Sequence, residues 1–207
     1  MKIKNKNLSA GITLIELVVI VFLIVLFSAI MISSFPKIKR QYALSSATYR
    51  LAQNLRKVEG LGASGVGTAR ADGTLLAVKG YGVYVNTGTG GSTTKYIVYA
   101  HLDSDPAATT YNGDFSTKLC SDVTAQDIQN FPNHDCILET VDISQQDDPN
   151  LTLAPTSGTV LSINFAPPNP IVSISSNNAS DGVILSLVID GLSRKVLTNT
   201  SGLISVQ

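Results

Sequence analysis

The sequence predicts an α+β protein: one long N-terminal helix, apolar in its first half and amphipathic in its second, packed on an antiparallel β-sheet domain. Three observations carry this. From Ile12 to Ile32 the only polar residues are Thr13, Glu16 and Ser28, close to the roughly 20 apolar residues a helix needs to cross a bilayer. From Ile38 to Val58 there is no glycine or proline, and Leu44, Thr48, Leu51, Leu55 and Val58 recur at helical spacing. Beyond that, short runs rich in Val, Ile and Leu alternate with turn signals, the pattern of an antiparallel sheet.

The apolar run is unique in the chain, so the sequence predicts one membrane insertion. Its single carboxylate, Glu16, lies in the first turn, where a charge is costly without a partner. The preceding segment carries Lys2, Lys4 and Lys6 and no acid, which places it in the cytoplasm and the body outside. Lys37, Lys39 and Arg40 at the far end oppose that assignment. A cleaved signal peptide is the competing reading of this terminus, although Ser28-Ala29-Ile30 and Ile32-Ser33-Ser34 make poor cleavage sites.

Pro36 removes one helix hydrogen bond, and the glycines of Gly60-Leu61-Gly62 suit a helix end. A helix from Ile12 to Gly60 would be roughly 70 Å long at about 1.5 Å per residue. Ala63 to Thr74 reads as a loop. Leu75 to Asn86 and Lys95 to Ala100 read as a hairpin joined by Thr87-Gly88-Thr89-Gly90-Gly91-Ser92, whose glycines follow no phosphate-loop spacing. Leu102 to Phe131 is polar and irregular. Asp135 to Ser144 reads as a strand and Gln145 to Gly158 as a loop. Five strands follow: Thr159 to Phe165, Pro170 to Ser175, Gly182 to Asp190, Arg194 to Thr198 and Leu203 to Val206. Asp190-Gly191 suits a tight hairpin.

Gly11, followed by Ile12-Thr13-Leu14-Ile15-Glu16 and the apolar run, resembles the processing motif of type IV pilins and type II secretion pseudopilins. The resemblance implies that a prepilin peptidase cuts between Gly11 and Ile12 and methylates the new amine of Ile12. It also makes Glu16 the family glutamate, and it implies a pilin-like fold whose helix continues past Pro36. The expected organisation is a leader over 1–11, a transmembrane and assembly helix over 12–35, its amphipathic half over 36–62, and a β-rich domain over 63–207. More loosely, Tyr81-Gly82-Val83-Tyr84-Val85 and the hairpin from Arg194 to Gly202 resemble minor pilins and pseudopilins of the GspH/FimT-like group.

The expected function is that of a structural subunit of a pilus or pseudopilus. Its partners would be the prepilin peptidase, other subunits, the inner-membrane assembly platform and membrane lipid. Glu16 of one subunit would meet the Ile12 amine of its neighbour only at a defined stagger, and so would fix register. The plainer reading has Glu16 pairing with its own amine or snorkelling toward the headgroups. The alternative function is a single-span anchored binding protein with a β-rich extracytoplasmic domain.

Net charge is zero, but the charges are unevenly distributed. Up to Tyr99 there are 12 Lys/Arg and 3 Asp/Glu; from Ala100 onward there are 3 and 12. An acidic distal half argues against a nucleic-acid face and lowers a DNA-uptake role. Cys120 and Cys136 in an exported domain read as one disulfide, worth on the order of 3 kcal/mol for a loop of about 15 residues. Many pilins have such a staple, and a calcium loop at this point in the chain occurs among pseudopilins. Asp103 and Asp105 are the candidate ligands, but the EF-hand pattern is absent and a solvated acidic loop is the plain alternative. His101, at a strand end, and His134 are expected to be surface residues. No nucleophile elbow, HExxH or CxxC occurs. The expectation is a non-enzyme without cofactor or resident metal.

Overall fold

The structure, a computed structural model, describes residues 12–70, 72–88, 90–102, 111, 118–130, 135–155, 158–167, 171–176 and 182–207. It is α+β. One helix, α1, runs Leu14–Ser64 with Pro36 inside it. The chain divides into two compact units, one ending at Arg40 and the other comprising Gln41–Gln207.

In the first unit α1 is apolar and uncovered. Its large hydrophobic residues from Ile12 to Ile38 keep between 40% and 82% of their surface exposed. The Ser28 hydroxyl donates to the Ile24 carbonyl at 2.7 Å, so this polar group is satisfied within the helix.

In the second unit α1 buries Ala43, Leu44, Ala47, Thr48, Leu51, Ala52, Leu55, Val58 and Gly62, the stripe that the spacing predicts. Thr48 returns its hydroxyl to the Leu44 carbonyl at 2.6 Å. The helix passes the expected stop at Gly60-Leu61-Gly62 and ends at Ser64, where Gly65 takes φ +61°, the left-handed geometry of a glycine cap. Gly62 has a different role. A Cβ there would lie 2.5 Å from the Phe165 carbonyl oxygen, so its bare backbone packs directly on a strand.

The strands are β1 (Thr68–Ala69), β2 (Leu75–Leu76), β3 (Gly80–Asn86), β4 (Lys95–His101), β5 (Cys136–Asp142), β6 (Thr152–Pro155), β7 (Val160–Ala166), β8 (Ile171–Ser176), β9 (Gly182–Ile189), β10 (Leu192–Asn199) and β11 (Ile204–Val206). Two short helices join them, α2 (Ala125–Asn130) and α3 (Ile143–Gln146). The strands form an antiparallel sheet ordered β5-β4-β3-β7-β8, a second ordered β11-β10-β9-β6, and the ribbon β1-β2. The inner faces of both large sheets share one core with α1: Tyr96, Val98, Val83, Ile163 and Phe165 from the first, and Val183, Leu185, Leu187 and Ile189 from the second.

Four expectations change. The predicted strand Leu75 to Asn86 is two strands, because Leu75–Leu76 pairs with Thr68–Ala69 while Gly80–Asn86 pairs with β4 and β7. The segment Ala63 to Thr74, read as a loop, holds the end of α1 and strand β1. Gln145 to Gly158 holds α3 and β6, and the irregular stretch holds α2 and a 3-10 turn at Cys120–Asp122. Pro155 is tolerated in β6 because that strand is a sheet edge. The tight hairpin is present: Ile189 pairs with Leu192, and Asp190 and Gly191 carry φ 44° and 81°, as a type I′ turn requires.

Candidate functional site

At the start of α1, Thr13 lies outside the helix and its Oγ1 accepts the Glu16 N–H at 3.3 Å, while its carbonyl accepts the Leu17 N–H at 3.2 Å. Thr13 is thus the N-cap and Glu16 the third helical residue, the threonine half of a capping box. The Thr-x-x-Glu spacing is visible in the sequence, but only Glu16 is singled out there. Ile12 and Glu16 are both exposed. Gly11 lies outside the described residues.

Cys120 and Cys136 form a disulfide with a Cα separation of 4.9 Å. Within the loop it closes, the described stretch around α2 is held by local contacts. Thr124 and Asp127 cap α2 reciprocally, with Thr124 N–H donating to Asp127 Oδ2 at 2.9 Å and Asp127 N–H to Thr124 Oγ1 at 3.2 Å. Lys118 Nζ reaches Asp127 Oδ1 at 2.5 Å. This hydrogen bond, with the Thr124 donors behind it, pulls the Asp127 carboxyl down to about 2. Leu119 bridges to Ile137 of β5.

His101 is not a surface residue. It is 4% exposed, and its Nδ1 lies 2.7 Å from Asp135 Oδ1, which also accepts the Leu102 N–H at 3.2 Å. The reason is topological: β4 pairs with β5, and this carries the residue before Cys136 to the end of β4. His134, Asp103 and Asp105 lie outside the described residues. Among the described residues no group of three His, Cys, Asp or Glu is placed to hold a metal.

The outer face of the five-stranded sheet carries an aromatic cluster that sequence reasoning missed. Tyr99 lies over Gly82, where a Cβ would meet its ring at 2.3 Å. Its hydroxyl is 2.7 Å from Ser162 Oγ. Tyr111 packs on it at 4.9 Å and on Tyr84 at 4.6 Å between ring centroids. Burial pushes the Tyr99 and Tyr111 hydroxyls well above the usual phenol range. Tyr84 and Gly82 stand in the sequence as part of a strand, yet nothing local marks the loop tyrosine that joins them.

Two features thus bear on function: a capped helix start with an exposed carboxylate at the head of an uncovered apolar helix, and an aromatic face on the β unit. Comparison with family models, curated proteins and solved structures returned no match. Among the described residues α1 is the one helix long and apolar enough to cross a membrane, with a mean hydropathy of 3.1 over its most apolar window and none of that window buried.

Proposed function

We propose that the chain is a pilin-like subunit, made as a single-span membrane precursor, cut by a prepilin peptidase between Gly11 and Ile12, and assembled through α1 into a pilus or a secretion-type pseudopilus. The carrying observation is the motif Gly11-Ile12-Thr13-Leu14-Ile15-Glu16 at the head of a helix whose large apolar residues up to Ile38 stay exposed. Lipid covers such a surface in the membrane, and neighbouring helices cover it in a filament. Little apolar area meets water in either state.

The chemistry of the helix start supports the same reading. Cleavage creates a positive amine on Ile12, one residue before the N-cap. A cation at a helix N-terminus opposes the helix dipole, and in an apolar bundle it needs a paired anion. Glu16, the first acid of the helix, supplies that anion, from its own chain or from a neighbour.

Mass spectrometry of the mature N-terminus tests the proposal. Methylated Ile12 is the expected result, and Gly11→Val should leave an uncut precursor in the membrane. An intact Met1 overturns processing and favours an anchored binding protein; a cut near Ser34 overturns it too, because it removes the apolar run as a signal peptide.

A further inference from the structure

We propose that the outer face of the five-stranded sheet holds a binding groove for a neutral saccharide. Strand register builds its floor. Tyr84, Ile97 and Thr140, which line it, are cross-strand partners in one row over β3, β4 and β5. Tyr111 forms one wall, set against Tyr84 and with its backbone N–H donating to Ser162 Oγ at 3.3 Å. The glycine turn forms the other wall: Gly90 takes φ +79°, and Gly91 lies so close to Asn86 that a Cβ would meet its carbonyl oxygen at 2.2 Å. Between them is a cavity of about 380 Å³, within the roughly 300–1,000 Å³ of small-molecule sites.

Its chemistry selects the ligand class. Aromatic and aliphatic carbon lines the floor, which suits the C–H face of a pyranose ring. Asn86, Ser92 and Thr140 line the cavity with amide and hydroxyl groups that can exchange hydrogen bonds with sugar hydroxyls. Among the described lining residues Lys95 alone is charged, and its Nζ lies 3.4 Å from Asp142 Oδ2, so the described lining presents no uncompensated charge to select an anion. A peptide could not bind here by strand addition, because β3 and β4 are interior strands paired on both sides. The inference does not depend on the filament reading.

The test is saturation-transfer NMR on the full chain in an amine-oxide detergent, since a sugar detergent would compete. The probes are maltotriose, cellotriose and tri-N-acetylchitotriose, with inorganic phosphate as the anionic comparison. At least one saccharide should receive saturation. Tyr84→Ala should weaken its affinity about tenfold, and so should Thr140→Lys, which fills the exposed rim without touching the core. Lys57→Ala, on α1, should change nothing. Silence from all three saccharides with a folded wild-type protein overturns the proposal. So does binding unchanged by Thr140→Lys, or binding of phosphate alone.

Discussion

Glu16 is the third residue of α1, its N–H held by Thr13, and a carboxylate there gains about 0.3–1 kcal/mol from the helix dipole. That local role does not require a neighbouring subunit, but the proposed assembly role does. In a filament, removing one partner of a buried pair leaves the other uncompensated, at roughly 3–5 kcal/mol. Glu16→Ala should therefore insert and be cut normally yet enter filaments poorly. Thr13→Ala, which loses only a cap worth about 1 kcal/mol, should assemble. A tip subunit with no neighbour above it can dispense with the glutamate. Equal incorporation of Glu16→Ala and wild type in sheared filaments, for a subunit shown to lie in the shaft, would remove the register role. Gly60 and Gly62 give a second contrast. Gly60→Ala meets nothing within 4 Å and should stabilise by up to about 1 kcal/mol. Gly62→Ala drives a methyl into the Phe165 backbone and should destabilise by about 1–3 kcal/mol in urea unfolding. The sequence shows both as helix-ending glycines. It cannot show that Phe165, about a hundred residues away, approaches one of them, nor that His101 is buried against Asp135 at 2.7 Å.

Among the elements, those fixed by local periodicity were legible, and those fixed by pairing were not. The helix stripe from Leu44 to Val58 and the Asp190-Gly191 hairpin follow from spacing and turn chemistry. Strand β6 was hidden because Asp147, Asp148, Pro149 and Pro155 all signal turns, and only its pairing with β9 makes it a strand. Helix α2 left a readable mark, Thr124-x-x-Asp127, inside a stretch otherwise polar and irregular. That cap sets a pH dependence. The Asp127 carboxyl is lowered from its ordinary 3.8 to about 2, first by Lys118 and then by the Thr124 donors. Asp142 is also lowered, chiefly by the Ser144 hydroxyl. A depressed carboxyl stabilises the fold fully above its unfolded value, and the contribution is lost as pH falls through the folded one. Amide-exchange protection of α2 should hold above about pH 4 and decline toward pH 2. Asp127→Asn should flatten that decline. An unchanged decline in the Asn variant would assign it to other carboxylates.

At the scale of the whole molecule, one helix carries two kinds of surface. Its apolar residues up to Ile38 remain exposed, while from Ala43 onward the same helix buries a stripe in the core shared by both sheets. The second unit, Gln41–Gln207, contains that core, the disulfide, and the polar ties of α1 to the sheet unit: Asn54 to the Tyr96 hydroxyl at 2.8 Å and Arg50 to Asp147 at 3.2 Å. Among the described residues, those of that core begin at Leu44. A chain starting at Gln41 and exported to an oxidising compartment should therefore fold as a soluble protein with its disulfide formed, losing only the fraying of a new helix end. The full chain should partition into membranes, because leaving its apolar run in water forgoes roughly 25 cal/mol for each Å² that lipid would cover. Fractionation and cooperative thermal unfolding of the two chains check this together. A truncated chain that aggregates or melts without cooperativity would show that the first unit is needed for folding as well as anchoring. A full chain that stays soluble without detergent would mean that its apolar helix is covered by something other than lipid or a neighbouring subunit.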